Sequence, residues 1–288
     1  DGTLWTWGDI TSIGFGALMQ NTNIMCSSPT QVPGTTWASY GTESYNRSMA
    51  TKTDGTLWVC GYNSYGGLGL NDKTTRSSPT QIPGAWGTDY TKIALLAPGC
   101  SAAIKANGTL WSWGYGDDGQ LGVNNRTTYS SPVQIGTDTT WSVIQGTTSS
   151  FSAIKTDGTL WSWGKNNKGV LGLNQSQDDD YRSSPTQVGT ETTWSKITTA
   201  QYAKLFAIKT DGTLWSWGYN GGNFAFNDSS TTNYSSPKQV PGTTWASVTA
   251  GKSGTTFATK TDGTLWSWGY NEFGQIAGLA HDARRSSP

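Results

Sequence analysis

The eleven residues TDGTLWSWGYN occur twice without change, at positions 210–220 and 261–271. Related segments of the form Asp/Asn-Gly-Thr-Leu-Trp begin at residues 1, 54, 107, 157, 211 and 262. The chain therefore repeats itself about every 52 residues, and a period of this size is typical of repeat architectures that include β-propellers. Any fold of this chain must place each copy in the same kind of environment.

Each repeat predicts about four short β-strands. The segments AIKT and TLWSWG flank an Asp-Gly pair, which favours a two-residue type I′ hairpin. In that register Ile154 lies opposite Trp161, and Met49 lies opposite Cys60, a pair that indicates an exchange of side-chain volume. Two further runs, TQV and TTWSKI, complete the four, and the Ser-Ser-Pro ahead of TQV predicts a turn at Pro185.

The repeat predicts an all-β fold, a β-propeller of four-stranded blades. One such sheet cannot bury both of its faces, whereas like sheets packed radially cover one another. The 16 tryptophans all occupy repeat positions, so we expect them to pack between blades rather than to form binding platforms. Gly is abundant, while Leu, Ala, Glu and Lys are sparse, and this composition makes long helices unfavourable.

The organisation predicted is one propeller domain over residues 1–288, with five complete repeats and a partial sixth. The first repeat begins within a hairpin turn and the last stops at Ser-Ser-Pro. We expect an array of six or seven blades, of which this sequence is a part, and an unpaired edge at the first TLWTWG strand.

The pattern LWSWGYNxxGQLGLN, followed by Pro, QV, a tryptophan strand and AIKTDG, resembles the regulator-of-chromosome-condensation repeat over the whole chain. The resemblance implies a β-propeller, usually of seven blades. It also implies regulation of a small GTPase coupled to chromatin, or, as in some members, binding and inhibition of a hydrolase. The family often carries a His before the Ala-Leu/Ile strand, but here the segments read SSFSAIK (149–155) and GTTFATK (254–260).

The charge balance argues against a nucleic-acid partner. Lys and Arg number 19, as do Asp and Glu, and charged residues make up 13% of the chain. No field of one sign is available to attract a polyanion or an anionic membrane. No stretch reaches the roughly 18 apolar residues of a membrane helix, so neither nucleic-acid binding nor membrane insertion is expected.

The residues that most often carry chemistry form no catalytic or metal-binding pattern. Cys60 replaces the second Trp of its repeat, without a nearby His or basic cluster that would activate a thiol. His281 is the single histidine and is expected in a solvated loop. The run Asp178–Asp180 resembles no known calcium loop. We therefore expect no catalytic residue, no metal and no cofactor.

Specificity is expected in the segments that differ between repeats, which lie between GLN and SSP. These segments carry Tyr and Arg, the residues most frequent in interface hot spots. The candidate binding residues are Arg76, Arg126, Tyr129, Tyr181, Arg182, Tyr234, Arg284 and Arg285.

The function favoured by these features is a non-enzymatic interaction or structural propeller. Low charge and abundant Ser, Thr, Asn and Gly favour an extracellular or virion location, as a fibre, spike, decoration or surface adhesin. Its partner is expected to be a protein or a surface glycan, with self-assembly into a larger particle as a further possibility. The alternatives are a secreted inhibitor of a hydrolase and an intracellular regulator of a small GTPase.

Overall fold

A computed structural model describes residues 1–8, 17–22, 26–42, 47–97, 99–175, 180–200, 203–220, 232–251, 254–274 and 276. The described part of the chain is almost entirely β-strand and turn. Its helical segments are two short 3₁₀ turns, Tyr90–Lys92 and Asn167–Gly169. The expectation of an all-β chain without long helices is confirmed for these residues.

The chain divides into two compact units, residues 1–144 and 145–288. The first contains the sheet β1-β2 and two four-stranded sheets, with strand orders β3-β4-β5-β6 and β10-β9-β8-β7. Its strands are β1 Leu4–Gly8, β2 Cys26–Val32, β3 Trp37–Thr42, β4 Arg47–Lys52, β5 Leu57–Gly61, β6 Arg76–Ile82, β7 Ile93–Leu96, β8 Cys100–Ile104, β9 Leu110–Gly114 and β10 Tyr129–Gln134.

The second unit contains two four-stranded sheets, β11-β12-β13-β14 and β15-β16-β17-β18, and the sheet β19-β20-β21. The division between the units falls within β11. The strands are β11 Trp141–Gly146, β12 Ser150–Lys155, β13 Leu160–Lys165, β14 Tyr181–Gln187, β15 Trp194–Ala200, β16 Lys204–Lys209, β17 Leu214–Gly218, β18 Tyr234–Val240, β19 Trp245–Ala250, β20 Thr256–Lys260 and β21 Leu265–Trp268. Each four-stranded sheet combines the end of one repeat with the start of the next. The single-domain organisation over 1–288 stays a prediction.

The hairpin at the Asp-Gly pair has three loop residues rather than two. Ile154 pairs with Leu160 and Phe151 with Trp163, so the predicted register was wrong by one residue. Gly158 N–H donates to Lys155 O, and Gly158 has φ of 78°, whereas a type I′ turn needs positive φ at both central residues. The loop therefore consists of a turn followed by one Gly in the left-handed conformation.

The Ser-Ser-Pro segment lies within a strand, which corrects the turn predicted at Pro185. Pro185 belongs to β14, an edge strand of its sheet. The pairing of β13 with β14 shifts register between Ser162 and Gly164. An edge strand at an irregularity tolerates a residue that lacks an N–H.

The second Trp of the WxWG strand lies in the core in four repeats, at Trp113, Trp163, Trp217 and Trp268. Trp113 donates its indole N–H to Gly67 O at 2.9 Å, and Trp217 donates to Val170 O at 2.8 Å. In both cases the acceptor lies in the Gly-rich turn of the preceding repeat, so the indole links two neighbouring sheets. These contacts confirm the expectation that the tryptophans pack between blades. The exceptions are Trp5 and Trp7, which are 49% and 58% exposed on β1, a strand paired only with β2 among the described residues.

A recurring bond between Asn and the Ser-Ser-Pro strand also joins neighbouring sheets. Asn21 and Asn71, which end the Gly-rich turns with φ near +60°, donate their backbone N–H to Ser77 O and Ser130 O. Their side chains bond to the next serine of each pair: the Ser78 hydroxyl lies 2.6 Å from Asn21 Oδ1, and the Ser131 hydroxyl lies 3.1 Å from Asn71 Oδ1.

Candidate interaction surface

Four of the candidate residues occupy one structural position in different sheets. Each lies at or near the start of the fourth strand and pairs with the Gly that ends the WxWG run. The pairs are Arg76 with Gly61, Tyr129 with Gly114, Arg182 with Gly164, and Tyr234 with Gly218. Tyr181 lies one position earlier and pairs with Lys165. Arg284 and Arg285 lie outside the described residues.

Arg76 is bound to its own loop. Its guanidinium lies 2.6 Å from Asp72 Oδ2 and donates to Thr74 O. Partial burial acts to raise the pKa of Asp72, but hydrogen bonds from Thr74 N–H, the Arg76 guanidinium and the Asn63 amide outweigh it and lower that pKa. The pair is solvent-accessible, so its main effect is to hold the loop in place.

Arg126 and Tyr129 are also held locally. The guanidinium of Arg126 donates to the backbone oxygen of Asp117. The phenol oxygen of Tyr129 accepts a hydrogen bond from the Asn125 amide at 3.1 Å. Both side chains remain at the surface, with Arg126 exposed and Tyr129 half-buried.

The loop before β14 forms a similar arrangement. Arg182 lies 2.6 Å from Asp180 Oδ1 and also donates to Gln175. Asp180 is thus engaged by an arginine, while Asp178 and Asp179 lie outside the described residues. Tyr181 is 40% exposed beside this pair.

Tyr234 is covered by a lysine of its own strand. Lys238 Nζ lies 4.2 Å from the centre of the Tyr234 ring and donates to its hydroxyl at 2.7 Å. The structure therefore places the six described candidates at or near the surface, and five of them, all except Tyr181, make the local side-chain bonds described above.

A second aromatic group, not identified from the sequence, lies in the first unit. Tyr65 is 38% exposed, and its ring contacts those of Tyr62 and Tyr115 edge-on, with centroids 6.3 and 5.3 Å apart. Burial and the carboxylates of Asp117 and Asp118 raise the pKa of Tyr115. We call Tyr62, Tyr65 and Tyr115 the tyrosine patch. Tyr62 directly follows VCG, Tyr115 directly follows WG, and Tyr65 stands three residues after Tyr62. These residues were not selected from the sequence because they lie outside the segments expected to vary.

One further position varies sharply between repeats. The first residue of the second strand is Arg47, Cys100, Ser150 or Lys204, each opposite the Gly that ends the WxWG run. Arg47 is buried, and its guanidinium donates to Leu96 O at 2.7 Å and to Ser101 Oγ at 3.0 Å. Lys204 is equally buried, but its ammonium has no hydrogen-bond partner among the described residues, and burial lowers its pKa to about 8.

Within the described ranges, no three His, Cys, Asp or Glu side chains come together in a way that could hold a metal ion. Cys60 is buried, and desolvation raises its pKa to about 12, which disfavours the reactive thiolate. His281 lies outside the described residues. A search of the described residues for a long apolar helix able to cross a membrane found none.

Four-stranded antiparallel sheets that repeat about every 50 residues, with tryptophans packed between neighbours, define a β-propeller of the repeat type. Models of the Regulator of chromosome condensation (RCC1) repeat match residues 54–95, 107–148 and 157–202, and a second model of the same repeat matches 245–275. These matches cover more than half of the chain. The protein belongs to the RCC1 repeat family.

Comparisons with known proteins agree with this assignment. Residues of this chain are 32% identical over 92 positions to the X-linked retinitis pigmentosa GTPase regulator of Canis lupus familiaris, a match that spans 31% of this chain and 9% of that protein. Human WBSCR16 superimposes with a TM-score of 0.77 and 18% identity, over 99% of this chain and 75% of that one.

Two structures of yeast RCC1 (Prp20) are similar to this chain as well. Yeast RCC1 (Prp20) bound to Kap60 has a TM-score of 0.75 and 19% identity, over 100% of this chain and 70% of that chain. Prp20p from Saccharomyces cerevisiae, described with its binding to Gsp1p and histones, has a TM-score of 0.74 and 20% identity, over 100% and 72%. At these identities the likeness establishes the fold.

Proposed function

We propose that this protein is a non-enzymatic propeller that binds a protein partner through surface side chains held by rigid sheets. The observation that carries the proposal is the tyrosine patch, which exposes aromatic surface on two consecutive WG turns. Tyrosine supplies a large contact area and a hydrogen-bonding hydroxyl, and it is enriched in interface hot spots. Edge-to-face packing of Tyr65 on Tyr62 and Tyr115 limits the side-chain entropy lost on binding.

Charged groups beside the patch favour a partner with complementary polar surface. Asp117 and Arg126 are exposed next to Tyr115, and the guanidinium is oriented by the Asp117 backbone oxygen. This combination of an aromatic centre and a charged rim is the usual composition of a protein interface.

The test measures binding before and after removal of the patch. A protein retained by the wild-type chain is purified, and its Kd is measured by calorimetry for the wild type and for Tyr65→Ala/Tyr115→Ala. We expect the double variant to raise Kd at least tenfold. Lys73→Ala, an exposed residue of a neighbouring loop, should leave Kd unchanged. Equal affinity of the double variant would contradict the proposal.

Regulation of a small GTPase is the second candidate. It is supported by the 92-residue similarity to a protein named as a GTPase regulator and by the fold shared with Prp20p. The measurement is release of a fluorescent GDP analogue from a Gsp1p-type GTPase, with and without this protein. Acceleration at catalytic concentrations supports this candidate, and an unchanged rate counts against it.

We also propose an extracellular or virion location, supported by the low charged fraction of 13%. Detection of the chain in secreted material or purified particles supports it, and a purely cytosolic pool contradicts it. A role as an inhibitor of a secreted hydrolase fits the same location. If the protein is such an inhibitor, adding it should lower the activity of the hydrolase. A variant in which the loops that precede β10, β14 and β18 are exchanged should no longer do so.

A further inference from the structure

The second unit contains a cleft of about 490 Å³. One wall is formed by residues 172–174 and 187–191, which flank β14, and the other by residues of the next sheet, β15–β18. This volume lies within the range of small-molecule sites, about 300–1,000 Å³. Its walls include Leu173, Val188, Trp194 and Trp215, and polar side chains line its rim. Trp215 is half-buried, and the Lys209 ammonium lies 4.0 Å from the centre of its ring, so a ligand can contact only the part of the indole that Lys209 leaves uncovered.

The repeat that forms the cleft lacks a proline that three other repeats carry, as does the repeat with Ile135-Gly136. In three other repeats the Val or Ile that ends the fourth strand is followed by Pro-Gly, as at Pro33, Pro83 and Pro241. Here Val188 is followed by Gly189, Thr190 and Glu191. Among the described residues, a Cβ placed on Gly189 would meet no atom within 4 Å, so space is open where three of the other repeats carry a proline ring.

A second difference leaves polar groups free at the cleft. The side chains of Asn21 and Asn71 bond to Ser78 and Ser131 across neighbouring sheets. At the cleft the corresponding residues are Asn174 and Ser236. The backbone bond from Asn174 N–H to Ser235 O is kept, but within the described part of the chain the Asn174 amide and the Ser236 hydroxyl have no side-chain partner.

Two further side chains are available in the same way. Gln187 and Thr190 line the cleft, and neither side chain forms a hydrogen bond within the described residues. Together with Asn174 and Ser236 they offer amide and hydroxyl groups, which both donate and accept. Such groups suit a ligand that presents several hydroxyls in fixed directions.

The charge of the cleft is balanced. Glu191 is the one ionisable side chain in its lining, and it forms an ion pair with Lys209. Lys209 in turn lies 4.8 Å from the Trp194 ring centre and 4.0 Å from that of Trp215. No unpaired charge of the lining faces the cleft, which favours a neutral ligand over an anion or a cation.

We propose that this cleft binds a neutral pyranose sugar, with the ring against the Trp215 indole and its hydroxyls bonded to Asn174, Gln187, Thr190 and Ser236. The site goes beyond the protein-binding function proposed above and does not depend on it. One sugar residue in an open cleft is expected to bind with a Kd on the order of 1 mM.

The experiment titrates the intact protein with the methyl α- and β-glycosides of glucose, galactose, mannose and N-acetylglucosamine. The readout is the indole N–H resonance of Trp215 in ¹⁵N-labelled protein, assigned with Trp215→Phe. At least one glycoside should shift this resonance saturably. The absence of a shift with all of them would overturn the proposal.

Matched variants localise the binding. Gln187→Ala and Ser236→Ala each remove one hydrogen bond from an accessible side chain and should raise Kd about threefold to tenfold. Ser131→Ala alters the same Ser-Ser-Pro position where the Asn71 pair is closed, and it should leave Kd unchanged. A Kd insensitive to Gln187→Ala and Ser236→Ala, or equally weakened by Ser131→Ala, contradicts the proposed site. Thermal unfolding of each variant checks that the fold is kept.

A glycan array then distinguishes the source of the sugar, with Gln187→Ala as the negative control. Retention on the array that the variant loses indicates a protein-linked or polymeric glycan. A response to methyl glycosides in solution without retention indicates a free sugar. Retention that persists in the variant assigns carbohydrate binding to another surface and overturns the proposal.

Discussion

Met19 and Cys60 contact each other at the positions that Gly69 and Trp113 occupy in the next pair of sheets. Both side chains are fully buried in one cluster, and a backbone group of Met19 hydrogen-bonds to Cys60. Met19 lies two residues before Asn21, as Gly69 lies two residues before Asn71. A Cβ on Gly69 would come within 2.7 Å of Trp113 Nε1. The Met side chain is therefore accommodated because the indole is absent.

The first prediction concerns this exchange. Cys60→Trp alone should lower the free energy of unfolding by about 1–3 kcal/mol, because the indole overlaps Met19. Met19→Gly alone should lower the free energy of unfolding by about 2–4 kcal/mol, because it leaves a cavity. This figure includes a small gain, because glycine adopts the φ of 62° found at Met19 without backbone strain. The double variant should recover most of this loss, measured by chemical denaturation.

The reverse exchange is the control. Gly69→Met/Trp113→Cys should likewise be more stable than Gly69→Met alone, since it recreates the Met19 and Cys60 pair. Additive effects of the two substitutions at either site would show that the residues do not share space.

The second prediction concerns the Lys204 ammonium, which has no hydrogen-bond partner within the described part of the chain. It lies 5.6 Å from the centre of the Tyr219 ring, and its pKa is lowered to about 8 by burial. Because the folded pKa is below the unfolded value of 10.5, the unfolded state binds more protons between these values, and stability should rise with pH from about 8 to 10.5. Lys204→Met should raise the free energy of unfolding at pH 7 by roughly 1–3 kcal/mol and remove this pH dependence.

Arg47 provides the matched comparison at the same structural position. Its guanidinium is fully buried and donates to Leu96 O, Cys100 O and Ser101 Oγ. Arg47→Met removes these hydrogen bonds from the buried side of the sheet and should destabilise the protein by about 3 kcal/mol or more. If both substitutions change stability in the same direction, hydrogen bonding does not distinguish the two sites.

The third prediction concerns the turn shared by the repeats. Asp157 Oδ1 accepts from Thr159 N–H and from its hydroxyl at 2.7 Å, and Trp161 Nε1 donates to the same hydroxyl at 2.8 Å. Thr159→Val removes both side-chain bonds and should cost about 1–2 kcal/mol by thermal or chemical unfolding.

The acid dependence of the same turn follows from Asp157. Hydrogen bonds from Thr159 lower its pKa, so its contribution is present above the unfolded pKa of 3.8 and is lost as pH falls through the folded value. Asp157→Asn should keep the turn at pH 7, because Asn107 makes the same bonds to Thr109, and it should reduce the loss of stability in acid. An unchanged acid transition would count against this role.

The fourth prediction compares two glycines of the second unit. Gly172 has φ of 73°, and a Cβ there would lie 2.8 Å from Trp217 Nε1, whereas Gly189 has φ of 64° and no atom near its Cβ. Gly172→Ala should cost about 2–4 kcal/mol from strain and overlap, and Gly189→Ala about 1 kcal/mol from strain alone. Equal losses on denaturation would show that contact with the indole is unimportant.

Much of the fold could be predicted from the repeat. The period, the strand pattern and the burial of Trp113 and Trp217 follow from residues that recur in the same order. The candidates Arg76, Tyr129, Arg182 and Tyr234 were selected from the segments that differ between repeats, and the structure places them in equivalent registers. Their role as binding residues stays a prediction, since each is bonded within its own loop.

The errors arose where local patterns underdetermine geometry. Asp-Gly is compatible with a two-residue or a three-residue loop, and choosing the shorter one placed Met49 rather than Ser48 opposite Cys60. The proline of Ser-Ser-Pro suggested a turn, although an edge strand accommodates it. A hairpin register that shifts by one residue changes every cross-strand pair.

By itself, the sequence determined that this chain builds repeated antiparallel sheets with tryptophans between them, because strand propensity, turn residues and periodicity act over a few neighbouring positions. The tertiary structure decided which side chains meet across sheets: Met19 with Cys60, Arg47 with the following hairpin, and the free amide and hydroxyl groups around Trp215. Met19 and Cys60 lie 41 positions apart, and Arg47 lies 49 to 54 positions from its acceptors in the following hairpin. These contacts depend on the packing distance between sheets, which no local pattern specifies.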